Sequence, residues 1–131
     1  MITLFEILKD KTICLTRGDI ASIVTSAKQK VGSQDGIPYT FAMGDVVRLS
    51  VFKKRDCQSV VLQKDAIAQE ETEAITINLT KEDTKIGDPI NKPVDYWYEI
   101  VLNPDTAPVT IIGYDAYGEK IFRLYPEGGA V

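Results

Sequence analysis

The chain has 131 residues, 44% of them hydrophobic and 26% charged, and carries a net charge of −4. That is one domain's length at ordinary globular composition, which excludes disordered, collagen-like and helix-spanning membrane classes and needs no disulfide or metal staple. Histidine is absent, so His-based triads, His-ligated zinc and the usual neutral-pH proton shuttle are excluded as well. There are 15 Ile, 11 Val and 11 Thr against 8 Leu and 9 Ala, and an excess of β-branched residues favours strands. Acidic and basic residues are interspersed, so neither a nucleic-acid footprint nor a membrane surface is expected as a partner. No enzyme activity, cofactor or metal is expected.

The elements follow in chain order from period-two alternation bounded by turn residues. Leu4 to Leu8 reads as a short strand; Glu6 interrupts it and no basic residue precedes it, so a signal peptide is not expected. Thr12 to Thr16 is a strand with Ile13 and Leu15 on one face and Cys14 on the other. Arg17-Gly18-Asp19 spells the tripeptide that integrins read, yet it lies between two apolar strands and reads as a bend. Ile20 to Ala27 is the next strand, with Ile20 and Val24 facing away from Ala21, Ile23 and Thr25. Asp35-Gly36 is a turn dipeptide, and Pro38 keeps its neighbourhood at a sheet edge.

Met43-Gly44-Asp45 breaks the chain before the strand Val46 to Lys54, where Val47, Leu49 and Val51 share the core face. A short connection leads to Gln58 to Ile67. Ala74 to Leu79 alternates with Ile75, Ile77 and Leu79 inward. Thr80 to Gly87 has a hydroxyl N-cap, acids in its first turn and a closing glycine, the grammar of one helical turn. Tyr96 to Leu102 is a strand with Tyr96, Tyr98, Ile100 and Leu102 on one face and Trp97, Glu99 and Val101 on the other. Val109 to Tyr114 and Lys120 to Tyr125 read as a hairpin turning at Asp115 to Gly118, and residues 126–131 as a loose tail. Cys14 and Cys57 stand far apart in no metal or redox spacing and read as free thiols.

The expected fold is therefore a single all-β domain over 1–131, a sandwich of about eight antiparallel strands with one short helical turn. The passage from Leu79 through the capped turn at Asp83 to Tyr96 is similar to the corner joining the two sheets of an immunoglobulin-like sandwich, where a tyrosine hydroxyl bonds back to the turn. Exposed aromatic rings suit a protein interface or sugar stacking. The candidate binding patch is Trp97, Glu99 and Val101 with Tyr117 at the hairpin tip.

Three stretches carry a family resemblance: Leu15-Thr16-Arg17-Gly18-Asp19 with Asp35-Gly36-Ile37-Pro38-Tyr39; Gly44-Asp45-Val46-Val47-Arg48-Leu49-Ser50-Val51 with Leu62-Gln63-Lys64; and Tyr96-Trp97-Tyr98-Glu99-Ile100 preceded by Thr80 to Asp83. In that order, across most of residues 12–125, the chain resembles small tail-associated proteins of phages and prophages of Gram-positive bacteria, similar to the N-terminal immunoglobulin-like domain of phage upper baseplate proteins. The resemblance implies a virion structural role with no catalytic residues. Its partners would be other tail or baseplate proteins or further copies of itself, met in the bacterial cytoplasm during assembly and then in the virion. The alternative reading is a carbohydrate-binding module using surface aromatics.

Overall fold

Alternating residues give each strand one apolar face, and two such sheets must cover each other. The computed structural model describes residues 6–7, 12–31, 34–54, 58–113 and 120–127. These form the strands β1 (Glu6–Ile7), β2 (Ile13–Thr16), β3 (Ala21–Thr25), β4 (Lys28–Val31), β5 (Gln34–Pro38), β6 (Val46–Phe52), β7 (Val60–Ile67), β8 (Ile75–Leu79), β9 (Val94–Leu102), β10 (Val109–Ile112) and β11 (Lys120–Tyr125).

The large sheet runs β1-β2-β11-β9-β6-β7, with β10 also on β9, and β3 pairs with β8 in a second sheet. All pairings are antiparallel except β2 with β11, where Ile13 lies beside Phe122 and Leu15 beside Leu124. Val47, Leu49 and Val51 of β6, Tyr96, Tyr98 and Ile100 of β9, and Phe122 and Leu124 of β11 meet Ala21, Ile23, Ile75, Ile77 and Leu79 of the small sheet in one continuous core. The chain is an immunoglobulin-like β-sandwich, antiparallel apart from the β2–β11 pair.

Three expectations are corrected. Asp35-Gly36 does not turn the chain: Val31 pairs with Gln34, so the reversal falls between them and both residues of the dipeptide lie within β5. The segments Val109 to Tyr114 and Lys120 to Tyr125 do not form a hairpin. β6 occupies one edge of β9 from Trp97 to Leu102. β10 and β11 therefore share the other edge, both antiparallel to β9, with Ile112 opposite Ile100 and Lys120 opposite Tyr98. They run in the same direction as two halves of one strand line, because a nine-residue β9 offers an edge long enough for both. The Asp115 to Gly118 turn lies outside the described residues.

The third correction concerns Thr80 to Gly87, which holds a hydrogen-bonded turn and no helix. The Thr84 N–H reaches the Thr80 carbonyl at 3.2 Å and the Lys85 N–H the Glu82 carbonyl at 3.2 Å. Its start is a reciprocal cap: the Asp83 N–H donates to Thr80 Oγ1 at 3.1 Å and the Thr80 N–H to Asp83 Oδ2 at 2.9 Å, the capping-box arrangement without the helix. Lys64 of β7, on the core side of the sheet, adds its Nζ at 2.9 Å from the same carboxylate. Partial burial pushes the Asp83 carboxyl up, but the Thr80 donors and the Lys64 ammonium outweigh it and hold it below the usual carboxylate value.

A lowered folded value means stability that is present above the unfolded value, about pH 4, and lost as pH falls through the folded one. Asp83→Asn should therefore cost about 1 kcal/mol at neutral pH and nothing at a pH low enough to protonate the Asp83 carboxyl in the folded as well as the unfolded state. Urea midpoints of the two proteins at neutral and acid pH check this.

Candidate functional site

β9 lies between β6 and the β10–β11 line, so its outward residues occupy the middle of the large sheet's exposed face. Alternation places Trp97, Glu99 and Val101 there, each half-buried. Register sets their neighbours: Trp97 lies between Phe52 of β6 and Ile121 of β11, Glu99 beside Ser50, and Val101 between Arg48 and Thr110. Three of the four candidate residues thus fall in one row. Tyr117 lies outside the described residues.

Phe52 and Ser50 share this outward side and are nonetheless only 3% and 6% exposed. Gln63 Nε2 donates to the Ser50 hydroxyl at 3.3 Å. The row thus sits on a consolidated floor instead of standing out as separate side chains.

Ion pairs bound the row at each end. Beside Val101, Arg48 grips Asp65 with Nε at 2.7 Å and Nη2 at 3.0 Å, and reaches Asp105 at 3.2 Å. Below Trp97, Arg123 holds Asp95 from Nε at 2.8 Å and Nη2 at 3.3 Å. Hydrogen bonds to Asp65 and then Asp105 raise the Arg48 value above its ordinary one, as the hydrogen bond to Asp95 does for Arg123; both guanidiniums stay charged at any working pH. Beyond Arg123, the Tyr125 hydroxyl is pushed up by its hydrogen bond with Cys14, whose buried thiol is free. Cys57 lies outside the described residues.

The Arg17-Gly18-Asp19 bend is engaged internally. It carries the chain from the large sheet to the small one, with Gly18 at φ 87°, a backbone suited to glycine. Arg17 is 8% exposed. Its Nη2 donates to the Gly87 carbonyl at 2.7 Å, its Nε to the Ile86 carbonyl at 3.4 Å, and its Nη1 pairs with Glu127. The buried Thr84 hydroxyl accepts from the Gly18 N–H at 3.0 Å and donates to the Asp19 carbonyl at 2.7 Å. Tyr96 sends its hydroxyl to this corner, where a Cβ on Gly87 would stand 3.5 Å from it. The bonds to the turn carbonyls come from Arg17. An arginine held this way is not offered to an outside receptor.

Other features are weaker. Thr40, Glu71, Thr72, Glu73 and Ala74 line a shallow depression open to solvent. Among the described residues no three His, Cys, Asp or Glu side chains are grouped to hold a metal ion, and no helix is long and apolar enough to cross a membrane.

The sequence did not reveal that Arg48, Asp65 and Asp105 form one cluster, nor that Phe52 and Ser50 support the row. The first follows once β6 and β7 are paired, since Arg48 then stands opposite Asp65. Comparison of the chain with family models, with curated proteins and with solved structures finds no match.

Proposed function

We propose that the chain is a non-enzymatic structural protein of a phage or prophage, an accessory module of the tail or baseplate that docks onto other tail proteins through the outward face of the large sheet. It would be made in the bacterial cytoplasm and carried into the virion. One observation carries the docking part of this reading: Trp97 and Val101 lie in a row on the central strand, with charge-paired arginines at both ends. An aromatic and aliphatic centre inside a charged rim is the anatomy of a protein–protein interface. The virion assignment is supported by the ordered motifs from Leu15 to Ile100, the last of which supplies Trp97 and Glu99 of the row. Sugar stacking needs an open ring face, whereas Trp97 is half-buried between Phe52 and Ile121.

Mass spectrometry of tails purified from a lysate of the source strain should find the chain as a stoichiometric component. Trp97→Ala should lower its incorporation about tenfold, the effect of losing one central anchor, while leaving the melting temperature within a few degrees. Particles without the chain, or incorporation indifferent to Trp97, would overturn the proposal.

A further inference from the structure

The outward charged side chains of β6, β7, β9 and β11 are Arg48, Asp65, Asp95, Glu99 and Arg123. Arg48 is paired with Asp65 and with Asp105 of the loop after β9, and Arg123 with Asp95. Glu99 is the exception. Among the described residues its carboxylate makes no hydrogen bond or ion pair. The face thus sets two arginines against four carboxylates, with the unpaired carboxylate in the middle of the row between Trp97 and Val101.

Its surroundings supply no counter-charge. Trp97 is registered against Ile121 and Val101 against Thr110, while Glu99 falls between the two halves of the β10–β11 line, opposite neither. On its other side stands Ser50, an uncharged hydroxyl. A Cβ placed on Gly113, just after β10, would stand 3.9 Å from Glu99 Cβ and 2.7 Å from Thr110 Cγ2. Glycine there lets the chain pass close to Glu99 without a side chain of its own against it.

A partner that covers Trp97 and Val101 must cover the carboxylate between them as well. Taking an unpaired carboxylate out of water is heavily penalised, and an apolar surface laid over the whole row would leave it stranded. We propose that the row is recognised by a cationic side chain, an arginine of the partner protein that pairs with Glu99 while Trp97 and Val101 shelter the pair from water. This rests on the docking reading above and names the chemistry of its central contact. Arginine suits the place better than lysine, because a guanidinium is more weakly hydrated and its fork meets both carboxylate oxygens. The acidic surplus of the face also favours the approach of a basic partner.

The test compares tails purified from lysates that express variants of the chain. Glu99→Gln should lower incorporation about tenfold, and Glu99→Lys, which sets like charges together, about a hundredfold. Thermal melts show that both variants remain folded. An apolar occupant gives the opposite sign, since removing a stranded charge would make Glu99→Gln bind better than the wild type. A photo-crosslinking residue in place of Thr110, beside the row, should capture a tail-protein peptide that contains an arginine. Exchanging that arginine for glutamate should restore the incorporation of Glu99→Arg and abolish that of the wild type. Normal or raised incorporation of Glu99→Gln in tails where Trp97→Ala is reduced would overturn this inference and leave the docking reading standing, as would a captured peptide without arginine or a failed charge exchange. Tails without the chain, or indifferent to Trp97, would overturn both.

Discussion

Replacing Arg17 with alanine should destabilise the protein by about 3 kcal/mol and lower its melting temperature by roughly 10 °C. Arg17 is 8% exposed, and its guanidinium serves acceptors from two other segments, the carbonyls of Ile86 and Gly87 and the Glu127 carboxylate. Without it, two carbonyls at the sheet-to-sheet corner lose their donor in a place water reaches poorly, and the cost comes mainly from groups left unpaired. The ion pair itself is the smaller part, since Glu127 is 36% exposed at its side chain and can turn to solvent. Glu127→Ala should therefore cost about 1 kcal/mol or less. Arg17→Lys should recover under half of the loss, because one ammonium cannot span a fork of three acceptors. Urea titrations of the three variants check the order. Equal losses for Arg17→Ala and Glu127→Ala would mean that the ion pair, not the carbonyls, holds the corner.

This corner shows where sequence reasoning succeeds and where it stops. The facing of residues in β8 and β9 was legible because in each strand one side is more deeply buried than the other, and a one-residue slip would turn every core side chain into water. The placement of Trp97, Glu99 and Val101 on one face follows from the same rule.

Partnership across segments was not legible. Arg17, in a tripeptide with glycine and aspartate, has the local pattern of a bend, and nothing nearby reveals that Ile86 and Gly87, 69 and 70 residues away, accept its hydrogens. The β10–β11 line failed for a related reason. A turn signature between two strands says that the chain deviates but not where the second strand lands, and the open edge of β9 decided that. Asp35-Gly36 failed because turn residues are also tolerated in a short hairpin of irregular register, such as the one β4 and β5 form.

Phe41 is the remaining case, and it carries the second large effect. It stands between Pro38 and the Met43-Gly44-Asp45 break, in what reads as a connection, yet it is 0% exposed. Its N–H donates to the Thr72 carbonyl at 2.7 Å and its carbonyl accepts from the Thr72 N–H at 3.1 Å. That bridge continues the β6–β7 ladder: from Asp45, whose carbonyl accepts from the Ala68 N–H at 2.8 Å, three residues intervene on each side before Phe41 meets Thr72. Phe41 is therefore an inward position of an extended β6, hidden in the sequence by the Gly44 turn at φ 94°. The Tyr39 ring meets it edge to face at 5.2 Å, and the core cluster covers the rest.

Phe41→Ala should cost about 4 kcal/mol, the transfer loss plus the cavity left behind, whereas Phe41→Leu should cost about 1 kcal/mol. Because the bridge to Thr72 is made by backbone, the alanine variant keeps its donors and acceptors, and the difference between the two variants reads packing alone. Urea midpoints measure the loss. Limited proteolysis measures its locality, since the segments 39–45 and 68–74 are held together here and should open first. A loss near 1 kcal/mol for Phe41→Ala would place the ring outside the core and return this segment to the status of a loop.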